Sequence, residues 1–266
     1  MVKTMTARER LWGNYEEWAG VRGELIAALL RQWLPLPGAA LLDAGCGQGG
    51  ASWALARAGA HVTAVDLHPE PPARIAGLAV RYYAADLAVW QGNAPLDGAL
   101  LWDVLEHLSD PYRALQQISC ALRPGGLLLI ATPNRWSPFN ALCDPHYGLP
   151  LLSILPRRAV RHIISGWLHW LPADKPDYPQ LLSCTEIDHL LHRSGFSWRF
   201  VNRELLAAAM RSPRGLWNRP WHLHMVQHLQ AHGWDQSIGR HIDNRPTRRN
   251  RWLMPTFFIL ARKEAA

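Results

Sequence analysis

An α/β fold built on a mostly parallel, doubly wound sheet is predicted by two features of the chain. Short apolar runs alternate with helical segments between residues 39 and 131, and the first run leads directly into a glycine-rich turn that opens a helix. The 266 residues, 48% of them hydrophobic and 18% charged, suffice for a core without disulfides or a structural metal. Before the sheet, residues 7–34 carry Leu25, Ile26, Leu29, Leu30 and Trp33 at helical spacing and stop at Pro35 and Pro37, which predicts an N-terminal helical cap. Strands are then predicted at 39–42, 61–65, 80–84, 98–102 and 126–131. A helix from about residue 50 should end at Gly59. Asp110 with Pro111 supplies an N-cap and first-turn proline for a helix to about Leu122, and Arg123-Pro124-Gly125-Gly126 reads as the turn into the fifth strand.

After Thr132 the alternation stops. A segment rich in Pro, Trp and Leu precedes Ser183-Cys184-Thr185-Glu186, a capping-box signature for a helix ending near Gly195. Two more strands, 196–201 and 256–261, bring the total to seven, split by a second insertion from about Arg203 to Met254. Structureless loops of that length are improbable in a compact domain, so both insertions should contain helices.

The net charge of +7 is unevenly placed: Lys and Arg number 11 against 12 Asp and Glu up to residue 135, and 17 against 9 beyond it. Eight of 14 tryptophans and ten of 13 histidines also fall in the second half. The chain thus reads as a near-neutral half followed by a basic, aromatic-rich one. Cys46, Cys120, Cys143 and Cys184 show no paired spacing, which argues against a zinc or disulfide framework and fits a reducing compartment. Neither a signal peptide nor a membrane-spanning helix is expected, because no apolar run approaches the roughly 18 residues a span needs. The expected location is cytoplasmic, with peripheral contact on the inner face of a membrane left open.

Chemistry is concentrated where strands end. Asp43-Ala44-Gly45-Cys46-Gly47-Gln48-Gly49-Gly50 follows the first strand, and Gly45, Gly47 and Gly50 satisfy a GxGxxG pattern with Asp66 21 residues after Gly45. Alone, this suits NAD or S-adenosylmethionine. Asp43 discriminates: a carboxylate there would repel a pyrophosphate at the helix N-terminus but complement the ammonium of a methionyl group. Asp86, ending the third strand, can accept from an adenine amino group. Each acid alone could be a turn or cap residue, but three at successive strand ends beside a glycine loop weaken that reading.

Asp43-Ala44-Gly45-Cys46-Gly47, Val65-Asp66-Leu67, Ala85-Asp86-Leu87, Trp102-Asp103-Val104-Leu105-Glu106-His107-Leu108 and Leu122-Arg123-Pro124-Gly125-Gly126 together resemble class I S-adenosylmethionine-dependent methyltransferases, most closely their ubiquinone-pathway O-methyltransferase branch. The resemblance covers 22–132 well and returns weakly at 183–202 and 255–262. It implies a Rossmann-like sheet of seven strands with the last antiparallel, helical insertions forming a lid, and S-adenosylmethionine as co-substrate. The corresponding division is an N-terminal helical cap (1–37), a cofactor-binding core (38–135), a lid insertion (136–182), a core helix and strand (183–202), a second insertion (203–254), and a final strand and tail (255–266). It also implies Gly45, Gly47, Asp66 and Leu67 as cofactor contacts, Asp86 and Leu87 at the adenine, Trp102 beside the cofactor and Arg22 towards its carboxylate.

Methyl transfer from a sulfonium asks chiefly for alignment, with a base added if the acceptor is a hydroxyl. His107, with Glu106, is the candidate; the plainer reading is that both order the loop. In the relatives, acids and a histidine at these positions are associated with a divalent cation, so Asp103, Glu106 and His107 form a thin ligand set, with a cation open but not expected and no metal residue assigned. His146 and Tyr147 in the first insertion are candidate acceptor contacts. Residues 151–171, made basic by Arg157, Arg158 and Arg161 and bearing Trp, fit either a substrate lid or a peripheral membrane contact through those charges. His222, His224, His228 and His232 read as helix-surface or lid residues rather than metal ligands. The expected activity is methyl transfer to a small, amphipathic or lipid-linked acceptor at a hydroxyl. A nucleic-acid methyltransferase is disfavoured because the fourth strand lacks the Asn/Asp-Pro-Pro-aromatic tetrapeptide, and a non-catalytic cofactor-binding module for a membrane or partner is the other alternative.

Overall fold

The computed structural model of the protein describes residues 15–92, 95–172, 178–217 and 220–265. The first part of the predicted N-terminal helix, 7–14, and residues 173–177 and 218–219 of the insertions lie outside them. In chain order the elements are α1 (Tyr15–Leu30), β1 (Ala40–Ala44), α2 (Gly50–Arg57), β2 (His61–Asp66), β3 (Val80–Ala84), β4 (Leu96–Trp102), α3 (Pro111–Ala121), β5 (Leu122–Pro133) and α4 (Pro138–Leu142). They continue with α5 (Arg157–Arg161), α6 (Cys184–Arg193), β6 (Phe196–Phe200), α7 (Asn202–Arg211), α8 (Pro220–Ala231), α9 (Trp234–His241), α10 (Arg248–Trp252) and β7 (Thr256–Lys263). The seven strands take the order β3-β2-β1-β4-β5-β7-β6. β1 pairs in parallel with β2, β2 with β3, and β4 with β5, whereas β7 runs antiparallel to both β5 and β6.

The chain forms two compact units: residues up to Ala84 with Arg203–Ile242, and Ala85–Asn202 with Asp243–Ala266. The second insertion is therefore divided, its α8 and α9 falling in the first unit and α10 in the second. In the first unit, β1 and β2 read as nearly continuous apolar runs because both are covered: Leu41, Leu42, Ala64 and Val65 are fully buried. Helix α1 lies against α2 so closely that a Cβ on Gly23 would sit 2.0 Å from the Gly50 carbonyl oxygen, and one on Gly50 would sit 2.0 Å from that of Ala19. The same helix is held from the other insertion by Trp18 Nε1, which donates to the Arg214 carbonyl at 2.7 Å.

In the second unit the helix signals act as read. The Asp110 side chain accepts from Arg113 N at 3.0 Å. Ser183 and Glu186 form the reciprocal box that starts α6. The expected turn at 123–126 needs correction, because it lies within β5: pairing with β4 jumps from Leu96–Leu122 to Gly98–Leu127, so the Pro-Gly-Gly segment is an irregularity inside the strand rather than a loop before it. Residues 151–171 form a 3₁₀ turn, α5 and a π-helical turn (His162–Trp167) rather than one amphipathic helix. Their Leu152, Val160 and Ile164 bury against Tyr178, with Tyr147, Leu149, Leu155, Ile163, Leu168 and Leu171 packed around them.

The α1–α2 contact generates a test. Gly50→Ala places a methyl against backbone that cannot move independently, and should lower unfolding free energy in urea titration by about 2 kcal/mol or more. Gly77→Ala, which meets only the strain of φ +73° in open space, should lose about 1 kcal/mol. Equal losses would mean that α1 does not seat on Gly50.

Candidate active site

The loop after β1 turns through three glycines with positive φ, Gly45 at 77°, Gly47 at 49° and Gly49 at 69°, conformations in which a Cβ is strained. Gly45 N and Cys46 N both donate to the Val65 carbonyl. Gly47 N donates to Asp66 Oδ2 at 2.8 Å, and His68 N donates to Asp66 Oδ1 at 3.1 Å. Asp66 at the end of β2 thus fixes both the glycine loop and its own turn. Asp43 has a supporting place: it is 4% exposed, and its Oδ2 accepts from Ser52 N at 2.9 Å and Ser52 Oγ at 2.6 Å. Burial pushes its carboxyl up to about 6, against the downward pull of the Ser52 hydrogen bonds. Sequence reading flagged Asp43 and missed Ser52, whose signal is its place in the first turn of α2, nine residues on.

Leu67 is 73% exposed and Leu87 is 5% exposed. Arg22, on α1, stacks its guanidinium 4.0 Å over the Trp18 ring. Asp86 Oδ1 accepts from Ala88 N at 2.8 Å, closing an Asx turn after β3. Trp102 packs its ring 5.6 Å from Phe258 of β7.

At the end of β4, Asp103 takes φ +54°, a left-handed conformation that Asp tolerates better than most residues. The chain then turns Glu106 inward. Glu106 is 1% exposed, and its Oε2 accepts from Thr132 Oγ1 at 2.8 Å. Its Oε1 accepts no hydrogen bond among the described residues and lies 3.9 Å from His146 Nε2. Burial first, then the Asp103 carboxylate, hold the Glu106 carboxyl well above the usual carboxylate range, with His107 and Thr132 opposing. The His107 and His146 rings meet edge to face with centroids 5.1 Å apart. Ligand atoms of Glu106, His107 and His146 lie within 4.8 Å of one another. His146 itself is set by Asp144, whose Oδ1 accepts from the backbone N–H groups of His146 and Tyr147 at 2.8 and 3.0 Å.

This cluster alters two expectations. The residue that joins Glu106 and His107 is His146, from the insertion, in place of Asp103. One carboxylate and two imidazoles, with a carboxylate oxygen lacking a hydrogen-bond donor, also suit a transition-metal ion such as zinc, so these are the residues that could hold one. Arg157 needs correction as well. It is not an outward charge of 151–171: its Nη2 donates to the carbonyls of Glu106 and Leu108 at 3.1 and 2.9 Å. Arg158, Arg161, Trp167 and Trp170 are exposed. Among the described residues, His222, His224, His228 and His232 form no ligand cluster.

Asp43 makes stability pH-dependent. Its folded-state pKa exceeds the ordinary carboxylate value, so its favourable contribution is complete below about pH 4 and is lost as pH rises through about 6. Asp43→Asn keeps an acceptor for Ser52 and should flatten that fall by a few degrees in thermal melts from pH 4 to 7. An unchanged slope would contradict the burial of the charge.

The "Ubiquinone biosynthesis O-methyltransferase" of Xylella fastidiosa (strain 9a5c) is 43% identical over 110 residues, 38% of this chain and 45% of that protein. The protein of the same description from Maricaulis maris (strain MCS10) is 32% identical over 178 residues, 62% of this chain and 61% of that one. The chain thus covers less than two thirds of either relative. The crystal structure of an S-adenosylmethionine-dependent methyltransferase from Mesorhizobium loti superposes with a TM-score of 0.57 at 19% identity, over 92% of this chain and all of the other, which establishes a shared fold. The methyltransferase domain family matches residues 17–199, well over half of the chain, and the protein belongs to that family.

Proposed function

We propose that the protein transfers a methyl group from S-adenosylmethionine to the hydroxyl of a small or amphipathic acceptor. The observation that carries this reading is the loop after β1, whose three positive-φ glycines are tied through Gly47 N to Asp66. Gly45, Gly47 and Asp66 would hold the co-substrate's methionyl and ribose parts, with Asp43 adding negative charge and Leu67 and Arg22 flanking. Asp86 and Leu87 would meet the adenine, and Trp102 would lie beside the cofactor. The O-methyltransferase relatives support oxygen as the acceptor atom and a ubiquinone precursor as the kind of acceptor.

Bound S-adenosylmethionine supplies a methyl group already activated by its sulfonium, so this chain's residues need to align the acceptor and take its proton. His107 is the proposed base, with the buried Glu106 and the facing His146 ring fixing its orientation, and Tyr147 next to His146 beside the acceptor. The proton leaves the hydroxyl for an imidazole nitrogen as the oxygen bonds to the methyl carbon and the carbon–sulfur bond breaks. A second reading is favoured by the bare Glu106 Oε1: Glu106, His107 and His146 would hold a divalent ion, which would supply Lewis-acid activation of the hydroxyl.

For location, no described helix is long and apolar enough to cross a membrane. We propose peripheral contact through the outer face of 151–171, where Arg158, Arg161, Trp167 and Trp170 are exposed while Leu152, Val160 and Ile164 pack inwards as a lid.

His107→Ala should lower kcat at least about 100-fold with S-adenosylhomocysteine binding unchanged in calorimetry; retained kcat would refute the base. Exhaustive chelation that abolishes activity, restored by zinc or manganese, would select the metal reading, and full activity after chelation would reject it. Arg158→Glu with Arg161→Glu should cut co-sedimentation with phosphatidylglycerol vesicles several-fold; unchanged binding would leave residues 151–171 as a lid alone.

A further inference from the structure

Arg157, about midway along the first insertion, and Gln180, near its end, both reach the segment that carries the proposed base. The Arg157 guanidinium donates from Nη2 to the carbonyl oxygens of Glu106 (3.1 Å) and Leu108 (2.9 Å), the residues immediately before and after His107. Gln180 N donates to the same Glu106 carbonyl at 2.8 Å. The two are also joined to each other, since Arg157 N donates to Gln180 Oε1, while Gln180 Nε2 donates to the Leu155 carbonyl at 3.2 Å. His107 N closes the turn from within by donating to the Val104 carbonyl at 2.9 Å.

Such an arrangement is more than packing requires. A guanidinium could remain hydrated on a surface helix at no cost, and its withdrawal to two backbone carbonyls is offset only by good charge-assisted hydrogen bonds. What those bonds fix is the peptide group that enters His107 and the one that follows Leu108, and with them the course of the backbone that carries the His107 ring. The cluster residue on the other side, His146, comes from the same insertion, beyond α4. One insertion therefore supplies a member of the cluster and clamps the backbone of the other two.

We infer that Arg157 is a positioning residue for methyl transfer: through the Glu106 and Leu108 carbonyls it holds His107 in register with the acceptor, with Gln180 completing the clamp. The inference rests on the reading of His107 as the base. Small displacements of a reacting group cost large factors in rate, so loss of this clamp should act on turnover rather than on cofactor binding.

The test is a double-mutant cycle with His107→Ala in a methyl-transfer assay using a hydroxylated ubiquinone precursor, alongside calorimetry with S-adenosylhomocysteine. Arg157→Met should lower kcat at least about tenfold while the S-adenosylhomocysteine Kd stays within about twofold, and Arg157→Lys should recover part of the loss. Because Arg157 acts through His107, the double variant should be no slower than His107→Ala by more than about twofold. Multiplying effects in the double variant, or parallel loss of S-adenosylhomocysteine affinity, would overturn the inference, as would wild-type kcat in Arg157→Met. Should Arg157→Met not fold, Gln180→Ala, which removes the side-chain links to Arg157 N and the Leu155 carbonyl but keeps the Gln180 N–H on Glu106, should show a smaller loss in the same non-additive pattern. Wild-type kcat in His107→Ala would instead refute the base assignment on which the cycle stands.

Discussion

Taking a carboxylate out of water costs free energy unless donors meet it, and this protein places acids at the ends of its parallel strands, where loops must be held. Asp43 is met by the backbone and hydroxyl of Ser52, which pins the first turn of α2. Asp66 is met by Gly47 N and His68 N, which fixes the glycine loop in its left-handed course. Asp86 is met by Ala88 N, and Glu106 by Thr132 on the neighbouring strand. Satisfying these acids ties down each loop within its own unit. Glu106 differs in that one oxygen is left without a donor among the described residues, facing the His146 ring. That incomplete satisfaction is the observation that supports the proposed role of Glu106.

The two insertions divide their labour. The first packs Leu152, Val160 and Ile164 on Tyr178, sends His146 to the cluster and Arg157 to the turn behind it, and leaves Arg158, Arg161, Trp167 and Trp170 outside. The second contributes α8 and α9 to the first unit and, around the buried Asn250, a short exposed helix bearing Arg248, Arg249 and Arg251. The +7 charge therefore lies largely on exposed positions of the insertions, away from the near-neutral strands and their buried acids.

Strands and glycine turns were legible because their determinants are local: the apolar runs of β1 and β2, the positive φ that Gly45, Gly47 and Gly49 supply, and the capping pairs at Asp110 and Ser183. The irregularity inside β5 was misread as a turn because Pro124-Gly125-Gly126 is turn chemistry whose continuation of pairing depends on β4, a partner the local sequence does not reveal. The cluster was legible by halves. Glu106 and His107 announced themselves after β4, and His146 was singled out as an acceptor contact, but that it faces the Glu106 carboxylate follows from how Asp144 turns the insertion. Arg157 was hidden entirely: beside Arg158 and Arg161 it looked like one of three surface charges, and only its hydrogen bonds to Glu106 and Leu108 separate it from them.

The central claim is that the Gly45–Gly50 loop with Asp66 is a site for S-adenosylmethionine. Isothermal titration of S-adenosylhomocysteine into the wild-type protein and Asp66→Ala, with NAD titrated in parallel and circular dichroism checking that both are folded, tests it most directly. Saturable binding of S-adenosylhomocysteine by the wild type is expected, with no measurable binding of NAD and an affinity at least about tenfold weaker in the folded Asp66→Ala protein. Wild-type affinity in Asp66→Ala, or preference of the wild type for NAD, would contradict it.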